Sequence, residues 1–201
     1  MSPVSSNLYQ ALRCVFPADL GGSALETGSG LFYTWSDLER GSAKLANFLQ
    51  SLDMPPGARV LVQVDPSAEA LMLYLASLRA GLVFVPLDMA CLGAEMVSVI
   101  GDAQPAVVVC SASHFGWLSK LAFQVSTAWV FTLNNDRSGS LLERAAQASD
   151  QHSPVASLAD DLAVITYTRN TNGHAHKLQH THGDQLGQDV LPLPGLGQAA
   201  H

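Results

Sequence analysis

The segment from Ala163 to His182, AVITYTRNTNGHAHKLQHTH, gathers more potential chemistry than any other part of this chain. An apolar, strand-like run ends at Tyr167 and gives way to hydroxyls, amides and one glycine, then to four histidines and a lysine. Thr168, Thr171 and Asn172 bring side-chain donors, and Gly173 lets backbone amides approach an anion closely. A loop of this kind at the carboxyl end of a parallel strand is suited to hold phosphate. No GxxxxGK(S/T) pattern occurs, so it is not a Walker loop. His174, His176, His180 and His182 form an HxH…HxH pattern, and an i,i+2 pair on an extended segment can face one metal ion. With no cysteine beside them, the expectation is a solvent-exposed histidine-rich stretch and no metal centre.

The elements that must position this loop read as alternating strands and helices. A short amphipathic helix from Leu8 is followed by a hairpin, Ala24–Glu26 and Leu31–Thr34, around Thr27-Gly28-Ser29-Gly30. Ser36, with Glu39 three residues on, predicts a capped helix whose apolar stripe includes Leu38, Leu45, Leu49 and Leu52. Strands are then expected at Arg59–Val64, Leu82–Leu87, Ala106–Cys110, Ala128–Leu133 and Leu162–Tyr167, each separated from the next by a helix. The strands are almost continuously apolar, as strands are when both faces of a sheet are covered. The predicted fold class is α/β: a mostly parallel sheet with helices on both faces. The domain is expected to run from residue 1 to 182, with 183–201, rich in Gly, Pro and Gln, as an irregular tail.

Composition narrows the function classes. The chain has 201 residues, enough for one sizeable core, and its formal net charge of -7 argues against nucleic-acid or anionic-membrane binding. No apolar run is long enough to span a bilayer, and the N-terminus lacks the pattern of a secretory signal. Cys14, Cys91 and Cys110 are odd in number and far apart, so they read as buried free thiols of a reducing, cytoplasmic compartment. Asp160-Asp161 is expected to cap or precede the last strand, and Trp35, Trp117 and Trp129 to serve packing.

Three segments, in order, resemble the adenylate-forming (AMP-binding) acyl-CoA synthetase superfamily. These are Phe32–Leu49, Ser77–Asp88 (SLRAGLVFVPLD) and Leu162–His182, the last standing where the family's YTSGTTGxxKG…H phosphate loop belongs. Val62–Leu87, Ile100–Val109 and Asp160–Thr168 are similar to malonyl-CoA synthetases within it. The resemblance implies the N-terminal subdomain of that fold, ATP and Mg²⁺ as cofactors, and conversion of an acid, ATP and CoA to acyl-CoA, AMP and pyrophosphate. It places Thr168, Thr171 and Gly173 in the ATP phosphate loop and His182 at the family's downstream histidine.

The loop departs from the family pattern. Arg169 replaces a serine, Asn170 a glycine and Asn172 a threonine, while His176 takes the lysine position and Lys177 stands one place late. A neutral imidazole lacks the fixed charge of lysine, so weak nucleotide binding is expected. The later motifs of the family have no counterpart in these residues, and no catalytic residue is assigned. The expected function is therefore an impaired N-terminal fragment of an acid–CoA ligase. The alternatives are a non-catalytic interaction module, self-associating or binding a protein partner through an uncovered sheet edge, or the product of a disrupted gene.

Overall fold

A computed structural model describes residues 6–28, 30–169 and 175–186. The chain opens with helix α1 (Leu8–Cys14), then a two-stranded antiparallel hairpin of β1 (Ser23–Glu26) and β2 (Phe32–Thr34). Helix α2 (Trp35–Gln50) follows at once. Its cap is Thr34, two residues before the expected Ser36: the Thr34 hydroxyl accepts the Asp37 amide (3.1 Å), and the Asp37 carboxylate accepts the Thr34 amide (2.8 Å). This frees Glu39 for another partner.

Strand and helix then alternate as expected through β3 (Arg59–Gln63), α3 (Ala68–Arg79), β4 (Val83–Pro86), α4 (Gly93–Ala103), β5 (Val107–Cys110), α5 (Ala112–Gln124), β6 (Trp129–Thr132) and α6 (Ser140–Ala145). The last elements are β7 (Leu162–Arg169), β8 (Ala175–Thr181) and α7 (His182–Leu186). The main sheet has the order β6-β5-β3-β4-β7-β8, with every pairing parallel except β7 with β8. Strand β8 was not foreseen, because AHKLQHT carries neither an apolar run nor a clean alternation. Helix α7 is also new. Thr181 and Asp184 cap it reciprocally, Asp184 N donating to the Thr181 hydroxyl (3.0 Å) and Thr181 N to the Asp184 carboxylate (3.1 Å). The boundary expected after residue 182 thus falls inside a helix, and 187–201 lie outside the described residues.

Alternation along the strands divides the core in two. Val60, Val62, Phe84, Val107, Val109 and Val164 face α1, α2, α3 and α6, while Leu61, Val83, Val85, Val108, Cys110 and Ile165 face α4 and α5. Cys91 and Cys110 fill the second layer, and burial pushes the Cys110 thiol up to about 12. Cys14, expected to be buried, is exposed at the end of α1.

Within the first layer lies a buried charge. Arg79, 2% exposed at the end of the apolar helix α3, donates to the Tyr9 hydroxyl (2.6 Å), to Ser42 Oγ (3.1 Å), to the Glu39 carbonyl (3.1 Å) and to the His152 carbonyl (2.6 Å). Its guanidinium also lies 4.4 Å from the Tyr9 ring centre and 3.3 Å from a Glu39 carboxylate oxygen. Gly81, with φ +68°, then turns the chain into β4 where a Cβ would press within 3.2 Å of Val155. Burial, and second the neighbouring Arg79, hold the His152 imidazole below its ordinary 6.5. Arg79→Met is expected to lose about 3 kcal/mol of stability, since Glu39 and several buried acceptors lose their donor. A urea denaturation midpoint equal to that of the parent chain would contradict this.

Candidate functional site

The carboxyl ends of parallel strands are where open α/β sheets bind ligands. Strand β7 is adjacent to β4 and delivers Thr168 and Arg169 to that end, from which the loop departs. The side chain of Arg169, together with Asn170, Thr171, Asn172, Gly173 and His174, lies outside the described residues, so their expected roles keep only their sequence basis. Thr168, His176 and Lys177 are described.

The ladder of β7 with β8 decides which of these can act together. Thr168 pairs with His176, Tyr167 with Lys177, Thr166 with Leu178, and Val164 with His180. Side chains alternate along a strand, so Thr166, Thr168, His176, Leu178 and His180 stand on one face and Tyr167 and Lys177 on the other. Thr168 and His176 are exposed, on the same side as one another. The lysine's displacement by one residue therefore moves its charge through the sheet to the α4 side.

There it is already engaged. Lys177 Nζ lies 2.9 Å from Asp102 Oδ2 near the end of α4, and the Tyr167 hydroxyl donates to the same oxygen (2.5 Å). The Tyr167 bond first, and then Lys177, hold the Asp102 carboxyl below its usual range. Burial, reinforced by the Asp102 bond, pushes the Tyr167 phenol up. Asp102 escaped the sequence reading because nothing in IGDAQPAVVV marks it as the partner of a lysine 75 residues on.

The histidines separate as well. His180 Nε2 lies 3.3 Å from the Thr166 hydroxyl. His182 is 1% exposed and turns inward, its Nδ1 accepting the Leu8 amide (3.0 Å) while its own amide donates to the Asp161 carbonyl (2.9 Å). It joins α1 to the end of β8 and is not free to share an ion with His180. His176 and His180, four residues apart on one strand, are about 13 Å apart at the 3.3 Å rise of a strand, too far to share one ion. Among the described residues no group of three or more His, Cys, Asp or Glu could hold a metal. Asp161 behaves as expected, its carboxylate accepting the Leu158 amide (2.8 Å) ahead of β7. Among the described residues, no helix is long and apolar enough to cross a membrane.

Comparison with known proteins fits this geometry. Residues 21–191 match the AMP-binding enzyme family. The ATP-bound structure of MatB from Rhodopseudomonas palustris is 36% identical with a TM-score of 0.83, and the match covers 89% of this chain and 35% of that one. The uncharacterized acyl–CoA ligase YtcI of Bacillus subtilis is 28% identical over 191 residues, 91% of this chain and 35% of that protein. An L-proline–[L-prolyl-carrier protein] ligase of Pseudomonas fluorescens is 26% identical over 153 residues, 76% of this chain and 30% of its own length. The chain thus spans about a third of the length of these relatives.

A pH dependence follows from buried His182 and half-buried His152. Burial lowers His182 below 6.5, against a smaller opposing pull from Asp161, and lowers His152 likewise. Their neutral forms are favoured in the fold, so the unfolded chain binds more protons below that value. Stability is expected to be complete above about pH 6.5 and to fall as pH drops from there through the lowered folded values. Thermal melts across that range should show a shallower decline for His182→Asn, which keeps an acceptor but does not titrate. An unchanged slope in that variant would remove His182 from the explanation.

Proposed function

Since the chain belongs to the AMP-binding enzyme family, we propose that it is the N-terminal part of an AMP-forming acid–CoA ligase, of the malonyl-CoA synthetase kind, with a weakened phosphate loop. The complete reaction joins the acid to the α-phosphate of ATP with loss of pyrophosphate, and then passes the acyl group to the CoA thiol with release of AMP. In this reading Thr168, Thr171 and the Gly173 amide hold the β- and γ-phosphates, and Mg²⁺ neutralises charge on them. Thr168 fits its part, being exposed at the carboxyl end of β7.

The observation that carries the weakened-loop reading is the capture of Lys177. At 2.9 Å from Asp102, on the face of the sheet opposite Thr168, it does not supply the cation that the loop's pattern calls for. His176 stands in the lysine position, and an imidazole does not carry a lysine's fixed charge. The Arg169 and Asn170 exchanges add bulk where the family has serine and glycine. Malonate as the acid rests on similarity in framework segments. The three cysteines, free of disulfides, support a reducing, cytoplasmic setting.

Titration calorimetry with ATP and Mg²⁺ tests the loop. The parent chain is expected to bind weakly, and the combined Arg169→Ser, Asn170→Gly and His176→Lys variant at least about tenfold more tightly, a difference of about 1.4 kcal/mol. Equal affinity in the two proteins would dismiss the substitutions as the cause. Robust malonyl-CoA formation by the parent chain from malonate, ATP and CoA would overturn the impairment itself.

A further inference from the structure

Strand β8 closes the sheet on one side and has no hydrogen-bonded neighbour beyond it among the described residues. Its centre reads His176-Lys177-Leu178-Gln179-His180, the same residue types at both ends about a central leucine. His176, Leu178 and His180 share one face, and Leu178 is 41% exposed. Within one copy the two histidines are too far apart to hold one ion, about 13 Å at the strand rise. Antiparallel pairing of two β8 strands about Leu178 removes that obstacle. His176 of one copy then stands directly opposite His180 of the other, with Cβ atoms about 5 Å apart, twice over.

We propose that β8 is a metal-dependent dimerisation edge, in which two copies pair antiparallel about Leu178 and each His176–His180 pair binds a divalent transition metal such as Zn²⁺. The charges permit this occupant. Lys177, the only formally charged side chain at the centre of the strand, falls opposite Gln179 of the second copy, and Asp102 already neutralises it. Leu178 meets Leu178 on the axis and buries apolar surface in both copies. Thr166 lies beside His180 at 3.3 Å, and its hydroxyl oxygen can accept a hydrogen bond from Nε2–H, which leaves Nδ1 to the metal and fixes the ring. Area explains the need for the ion. A seven-residue strand pair covers a few hundred Å² on each copy, short of the roughly 800 Å² per partner of stable interfaces. Imidazole coordination at two sites supplies what the strand lacks.

Sedimentation velocity of the full chain under stepwise ZnCl₂, then excess EDTA, reads the proposal directly. Zinc is expected to double the mass and EDTA to restore the monomer. His176→Ala and His180→Ala, both near the outer edge of the sheet, are each expected to raise the zinc concentration needed at least tenfold, with melting curves confirming that they remain folded. An equimolar mixture of the two variants rebuilds one intact His176–His180 pair and is expected to regain part of the dimer. A monomer at all zinc concentrations overturns the proposal, as does wild-type dimerisation by either variant. Failure of the mixture overturns the antiparallel register about Leu178.

Discussion

A guanidinium in an apolar layer constrains most of one side of this protein. Arg79 cannot shed its charge, and a buried charge costs several kcal/mol unless its donors are met. The acceptors come from far along the chain: Tyr9, 70 residues before it, Glu39 and Ser42 on α2, and the carbonyl of His152, 73 residues after it. Satisfying one side chain therefore fixes α1 against α3, α2 against both, and the segment before β7 against the end of α3. Asn7 extends the same clamp, its amide donating to the Leu78 and Val155 carbonyls (2.9 and 2.8 Å).

The clamp reaches the β7–β8 hairpin through α1. The Leu8 amide next to Asn7 donates to His182, so the helix that Arg79 holds in place also anchors the far end of the β7–β8 hairpin. On the opposite face, Asp102 holds Tyr167 and Lys177. The hairpin bearing the loop is thus secured from both layers, which gives Thr168 a defined position at the sheet end. The same security holds Lys177 on the face opposite Thr168.

Much of this architecture was legible in the sequence because two periods carry it. Runs such as Val60–Val62 and Val107–Cys110 announce strands covered on both faces, and Gly81 and Pro55-Pro56-Gly57 mark where helices cannot continue. The hairpin's second strand was not legible, because β8 is held by its ladder with β7 and by single contacts at Lys177 and His182, none of which leaves a hydrophobic pattern. Local competition defeated the Ser36 cap: Thr34 and Asp37 form the same reciprocal pair two residues earlier, just where β2 ends. The family resemblance located Lys177 one place late. Only the pleat shows that one place is the difference between two sides of a sheet.

The bond between Leu8 and His182 spans 174 residues and bears on how the chain is made. Synthesis proceeds from the N-terminus, so α1 emerges long before the residue that accepts its first amide. Until β8 is threaded against β7, α1 can rest only on Arg79 and its neighbours, with a backbone donor still seeking water. Closure therefore waits on a residue 174 positions after the helix it latches, and long-range contacts of this kind form slowly.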